Sequence, residues 1–165
     1  MKTLVILVVV LFVAWTGIRI YNAVIFEKDC GGYLKRAADA NTVELAKGEL
    51  SKVLAYMERH DLTEGYTSVV YRTPDEDIGF WYTNLKNSYQ GLAALNPDTT
   101  PLEESSMLIK LRETILDEGS HISVTSPAVI SMYPYNGTMA ILGVILLLVS
   151  LVLVVGGVLF LYKEV

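Results

Sequence analysis

An uninterrupted apolar stretch over residues 138–162 limits the possible folds of this chain more than any other feature. It holds 25 residues without a charged side chain. At about 1.5 Å per residue a helix of this length extends about 37 Å, enough to cross a hydrocarbon core of about 30 Å. The stretch has no polar face to turn towards water, and in lipid only a helix satisfies the backbone of a single segment. We therefore predict a transmembrane helix here.

Another apolar stretch, the first in chain order, occupies residues 3–25. It is longer than the apolar region of a cleaved signal sequence, and no small-residue cleavage triplet follows it. Trp15 and Tyr21 are typical of residues that anchor a helix at the membrane–water interface. We predict that residues 1–26 form a transmembrane helix or signal anchor.

Two features of these stretches indicate partners. Arg19 lies near the end of the first one, where its side chain can extend to the lipid headgroups; the alternative is an ion pair with an acidic residue of another subunit. In the second stretch Gly143, Gly156 and Gly157 allow another helix to approach closely. That helix is either the first span of the same chain or one from a neighbouring subunit.

Charge separates the region between the two stretches from the rest of the chain. Residues 27–137 carry ten Lys and Arg against 17 Asp and Glu, a net charge of −7. Such a surface repels nucleic-acid phosphates, so we expect no nucleic-acid partner. By the positive-inside rule, Lys2 and Lys163 favour two cytoplasmic ends, with residues 27–137 extracytoplasmic and residues 163–165 as a short tail.

Apolar residues at spacings of three and four predict about three amphipathic helices in residues 27–137, packed as a small bundle. The stripes are Leu34, Ala37, Ala38, Val43, Ala46, Leu50, Val53, Leu54 and Met57; Ile78, Trp81, Tyr82, Leu85, Tyr89, Leu92 and Leu95; and Met107, Leu108, Leu111 and Ile115. The first stripe fits one long helix or two, with Asn41 as a possible cap. The predicted fold class is therefore mainly α: two transmembrane helices flanking a small helical bundle.

Two segments of the form Thr-Pro-x-Glu, at residues 73–76 and 100–103, predict helix starts. In each, Thr caps the helix, Pro takes its first position and Glu completes a capping box. Gly119 is the expected residue just after the third helix. Alternating β-prone residues near 66–71 and 121–133 predict two short strands that pair beside the helices.

No spacing of residues indicates catalysis or a bound metal. His60 and His121 are the only histidines, and Cys30 is the only cysteine. No His-x-x-x-His, Cys-x-x-Cys or Gly-x-Ser-x-Gly pattern is present. We predict a non-enzymatic protein without a cofactor, in which Cys30 is either a free thiol or part of an intermolecular disulfide.

Aromatic residues supply the remaining candidate site. Phe80, Trp81 and Tyr82 are consecutive, and Tyr66 and Tyr71 precede them. On a helix Trp81 and Tyr82 share the apolar face, whereas Phe80 is about 100° away from Trp81 and is buried only if a second side is covered. Core packing is one interpretation, and a surface that binds a partner protein is the other.

These features together predict a membrane-anchored structural or accessory subunit. We expect its extracytoplasmic domain to assemble with copies of itself or with another membrane protein. The alternative is a ligand-sensing module with a pocket near Trp81 and Tyr82, because the layout is similar to the input half of bacterial transmembrane sensors. Since only three residues follow Tyr162, we expect such a module to signal through a partner.

Overall fold

The computed structural model describes residues 2–96, 98–118 and 122–163, and these residues are mainly helical. The elements in chain order are α1 Lys2–Phe26, α2 Gly32–Ala38, α3 Val43–Arg59, α4 Ile78–Ala93, α5 Pro101–Ile115, β1 Leu116–Glu118, β2 Ile122–Val124 and α6 Asn136–Lys163. Two helical stretches, Thr3–Ala38 and Asn136–Gly156, are long and apolar enough to cross a membrane, as predicted.

The first apolar helix continues beyond the point where the sequence becomes polar. From α1 the chain passes through a π-helical turn, Glu27–Gly31, directly into α2. Cys30 lies in this turn as a free and fully buried thiol. An intermolecular disulfide would require this turn to open.

α1 and α6 pack against each other in antiparallel directions. Trp15 Nε1 donates a hydrogen bond to the carbonyl oxygen of Met139 at 3.0 Å. A Cβ atom at Gly143 would lie only 2.7 Å from the indole ring, so the ring rests on the α6 backbone because position 143 is a glycine. Trp15 is therefore an interhelical contact, and its place at the membrane–water interface stays a prediction.

Four helices surround the core of residues 27–137. α3 packs against α2 and α4, and α5 packs against the same two helices. The predicted apolar stripes are their inner faces, and the least accessible large side chains are Leu34, Leu50, Met57, Ile78, Leu85, Leu92 and Ile115. Burying such side chains supplies the main driving force for this packing.

A buried carboxylate joins α2 to α3. Glu49 is 7% exposed, and its Oε1 atom accepts hydrogen bonds from Arg36 at 2.8 Å and from Lys52 at 3.1 Å. The two helices are separate, and Thr42 caps α3 by accepting a hydrogen bond from the Leu45 backbone N–H. The expectation that Asn41 provides this cap is wrong.

The two Thr-Pro-x-Glu segments behave differently. Thr100 and Glu103 form the predicted capping box of α5, and hydrogen bonds from Thr100 lower the pKa of the Glu103 carboxyl below its ordinary value. Thr73, by contrast, precedes only a short 3-10 turn, Pro74–Glu76. Its hydroxyl donates to the Glu76 side chain at 2.6 Å, so the prediction of a helix start at Thr73 is wrong.

The predicted pairing of residues 66–71 with residues 121–133 is also wrong. β1 pairs antiparallel with β2, and Tyr66 forms only an isolated bridge with Asp77. α5 ends at Ile115, where the chain becomes extended, so Gly119 does not follow the helix directly. Gly119 and His121 lie outside the described residues.

Gly65 connects the loop after α3 to the segment that enters α6. Its φ of +100° suits glycine, and a Cβ atom there would overlap the Tyr133 hydroxyl oxygen. Tyr133 thus packs against the core. Tyr135, two residues on, is 64% exposed.

We expect a Gly143→Ile substitution to separate α1 from α6, because the new side chain overlaps the Trp15 ring. Overpacking of this kind costs about 1–3 kcal/mol. The measurement is the midpoint of unfolding in a sodium dodecyl sulfate titration of mixed micelles. Gly156→Ile is the matched control, because nothing lies within 4 Å of a Cβ atom at Gly156. Equal midpoints for the two variants would contradict this packing.

Candidate functional site

The aromatic residues singled out by the sequence lie at the start of α4. Asp77 caps this helix, and its Oδ1 atom accepts a hydrogen bond from the Phe80 backbone N–H at 3.0 Å. The cap fixes the first turn of α4 and with it the direction in which Phe80 projects. Phe80 is 65% exposed, so its ring is a surface feature.

Trp81 is a core residue. It is 7% exposed, and its Nε1 atom donates to the Thr125 carbonyl oxygen at 2.8 Å. Tyr82 is half-buried, and its hydroxyl donates to Glu58 at 2.7 Å. α4 is thus covered on the Trp81 side and open on the Phe80 side.

A groove of about 290 Å³ lies beside Phe80. Its walls are the first turns of α4 and the segment after β2, and the lining residues include Phe80, Trp81, Asn84, Thr125, Pro127 and Ala128. Asp75 and Asp77 also line it, so the groove combines an aromatic rim with carboxylates. An apolar group next to a positive charge fits this combination best.

Asp77 also binds the Tyr66 side chain. The hydrogen bond from Tyr66 and the negative charge of Asp77 raise the pKa of the phenol above its ordinary value of 10.0, while Arg72 acts in the opposite direction. The Arg72 guanidinium lies over the Tyr66 ring, 5.4 Å from its centroid. Tyr66 is therefore connected to the residue that caps α4, although it does not line the groove itself.

Tyr71 is separate from this groove. It is 78% exposed on the loop before the Pro74–Glu76 turn and is absent from the groove lining. The predicted aromatic set thus divides into a core residue, Trp81; two residues with bound hydroxyls, Tyr66 at Asp77 and Tyr82 at Glu58; an exposed rim residue, Phe80; and an exposed loop residue, Tyr71.

Arg19 lies level with the first turn of α6. Its guanidinium stacks on the Trp15 ring at 4.8 Å, and it lines a small hollow together with Asn136 and Met139. Within residues 2–96, 98–118 and 122–163, no carboxylate oxygen lies within 4.0 Å of Arg19. Arg19 therefore lies at the end of α1 that faces residues 27–137, where the sequence predicts that its side chain extends to the lipid headgroups.

Gly143 is the glycine that contacts the other apolar helix. Gly156 faces open space, and the surroundings of Gly157 lie outside what the structure describes. Contacts of Gly156 and Gly157 with a second chain stay a prediction. The contact with the Trp15 ring distinguishes Gly143 from Gly156.

The described residues contain no group of three or more His, Cys, Asp or Glu side chains that could hold a metal ion. The His60 ring lies 4.3 Å from the Tyr56 ring. Burial is the largest cause of a raised pKa at Tyr56.

We expect Asp77→Ala to lower the free energy of unfolding by about 1 kcal/mol, because α4 loses its N-cap. Asp75→Ala, an exposed neighbour, should change it by less than about 0.5 kcal/mol. Chemical denaturation followed by circular dichroism measures both.

The Asp77→Ala variant also tests, by absorbance spectroscopy, whether Asp77 controls the pKa of Tyr66. Because the folded-state pKa of Tyr66 is raised, its contribution to stability is complete below pH 10.0 and is lost as the pH rises through the folded pKa. Asp77→Ala should lower the titration midpoint of this phenol, measured as the difference in absorbance from Tyr66→Phe. An unchanged midpoint would show that Asp77 does not control Tyr66.

The chain matches no protein-family model, no curated protein and no solved structure.

Proposed function

We propose that the chain is a membrane-anchored accessory subunit that carries out no catalysis and binds another protein through the groove beside Phe80. In this proposal α1 and α6 cross the membrane, both ends lie on the cytoplasmic side, and residues 27–137 lie outside. The antiparallel packing of α1 and α6 supports two ends on one side, and Lys2 and Lys163 favour the cytoplasm.

The exposed Phe80 ring is the observation that carries the proposal. Aromatic side chains at the edge of a concave surface are frequent energetic centres of protein interfaces. Here the ring is held by the capped first turn of α4, so little conformational entropy is lost when a partner covers it.

The charge of the groove indicates the chemistry of the partner. Asp75 and Asp77 line it, and the surrounding region has a net charge of −7. A partner segment that presents an apolar side chain beside Lys or Arg complements both features. The partner is a second copy of this chain or another membrane protein.

A rigid connection to the membrane supports an assembly role. α1 runs through the Glu27–Gly31 turn into α2 without a flexible linker. The helical region that holds the groove is therefore joined directly to an apolar helix, an arrangement that suits the positioning of a partner subunit.

The groove also supports a second candidate function. Its volume of about 290 Å³ and its contact with Trp81 suit a small ligand. A ligand-sensing module would bind a small molecule there, and such binding would raise the melting temperature of the chain without any protein partner.

Photo-crosslinking distinguishes the two functions. We expect benzoylphenylalanine at position 80 to form an adduct with a protein in native membranes, with a yield that falls as salt is raised. An adduct with twice the chain mass of 18.3 kDa identifies a second copy, and any other mass identifies a different protein.

The control carries the same photoreactive residue at Leu102, which is 77% exposed on α5. Adduct formation at position 80 and not at position 102 supports the proposal. Equal yields at the two positions, or no adduct at position 80, would refute a protein-binding groove.

A further inference from the structure

The loop between α3 and the Pro74–Glu76 turn is fastened to the beginning of α6. Asn136 is 8% exposed, and its Nδ2 atom donates hydrogen bonds to the carbonyl oxygens of Thr67 at 2.9 Å and Val129 at 3.2 Å. One amide group thus fixes the position of this loop relative to the first turn of an apolar helix.

From Thr67 the loop descends along that helix. The Val69 side chain lines the same small hollow as Arg19, Met139 and Ala140. Its Cγ1 atom is 4.0 Å from the position of a Cβ atom on Gly137. Val69 is therefore level with residues that belong to the apolar helices.

The next two residues point away from the protein. Val70 is 80% exposed and Tyr71 is 78% exposed. Tyr135 and Val129, which flank the start of α6, are 64% and 49% exposed. These four residues extend the apolar surface of α1 and α6 towards the helical region between them. We name Val70, Tyr71, Val129 and Tyr135 the collar.

The charges of the loop agree with a position at a membrane surface. Residues 66–72 contain one charged residue, Arg72, which stacks on Tyr66. Tyrosine is enriched at the interfacial layer of a bilayer, valine adds apolar surface beside it, and an arginine nearby can extend its charged end to the lipid headgroups. Acidic residues flank the loop, since Glu64 precedes it and Asp75 follows Arg72 by three positions, so the lipid that suits this surface is neutral overall.

We propose that the collar inserts into the interfacial layer of the bilayer, with Val70 and Tyr71 at its tip. The inference rests on the membrane anchoring in the proposed function. Continuity with the apolar helices decides the occupant: a membrane that covers these helices up to Arg19 also reaches Val69 and the residues beside it.

Site-specific fluorescence in vesicles tests this insertion. The full-length chain is reconstituted into phosphatidylcholine vesicles without nitroxide, with lipids that carry a nitroxide near the headgroup to probe positions 70 and 102, or with lipids that carry it deep in the acyl chain to probe position 147. An environment-sensitive nitrobenzoxadiazole label is attached to cysteine in Val70→Cys, Leu102→Cys or Leu147→Cys. The native chain controls for labelling of Cys30, which is fully buried.

The two reference positions define the scale. Leu147 is an exposed residue of α6. Leu102 lies beside Leu95, which follows the end of α4. The start of α4 is near Tyr66, and at about 1.5 Å per residue the end of this helix is about 24 Å away from its start. We expect nitroxide quenching of the label at position 70 to be at least three-fold stronger than at position 102.

Each result decides the question. Quenching at positions 147 and 70 with little at position 102 supports the insertion. Quenching at position 147 with equal values at positions 70 and 102 overturns the insertion and leaves the membrane anchoring intact. Absence of quenching at position 147 overturns both. A label at position 70 that is shielded from water but unquenched would place a protein on the collar and also overturn the insertion.

Discussion

The contact of Trp15 with Gly143 is the interaction on which the arrangement of this molecule depends. Two apolar helices in lipid gain little free energy by burying apolar surface, because lipid tails are equally apolar. Their association therefore requires close backbone approach or a hydrogen bond. Here both occur at one place: the indole ring lies on the glycine, and its N–H binds the Met139 carbonyl oxygen. This contact fixes the depth of α1 relative to α6.

Two connections position the helices of residues 27–137 relative to α1 and α6. At one end, α1 continues through the Glu27–Gly31 turn into α2. On the other side Asn136 holds the loop at Thr67, and Tyr133 fits against Gly65. The same loop bridges to Asp77, which caps α4 and orients Phe80. The groove is thus linked to the apolar helices through short, specific contacts.

Local patterns predicted those parts of the fold that local interactions determine. The apolar stripes became the inner faces of α2 to α5, and the Thr100 box formed as expected. The identical pattern at Thr73 failed because distant residues control it. The Gly65 carbonyl binds the Ile78 N–H at 2.9 Å, and the Glu76 carbonyl binds the Thr67 N–H at 3.1 Å. These bonds hold Asp77 extended, so the helix starts after it.

In the candidate site, too, only the features that depend on local sequence were predicted. Helical spacing predicted that Phe80 and Trp81 face different directions, and they do. The groove beside Phe80 could not be predicted, because its second wall is the segment after β2, more than 40 residues away in the chain. The collar was likewise hidden, since Val70 and Tyr71 were interpreted as part of a strand. Their position depends on the Asn136 side chain, which no short-range pattern reveals.

Topology is the most direct test of the central claim that α1 and α6 cross a membrane as an antiparallel pair. Single cysteines at Thr3, Leu102 and Val165, in a Cys30→Ala background, are treated with a membrane-impermeant maleimide in sealed vesicles of known orientation. We expect positions 3 and 165 to react only from the cytoplasmic face and position 102 only from the opposite face. Reaction of position 102 from the same face as either end would contradict the account.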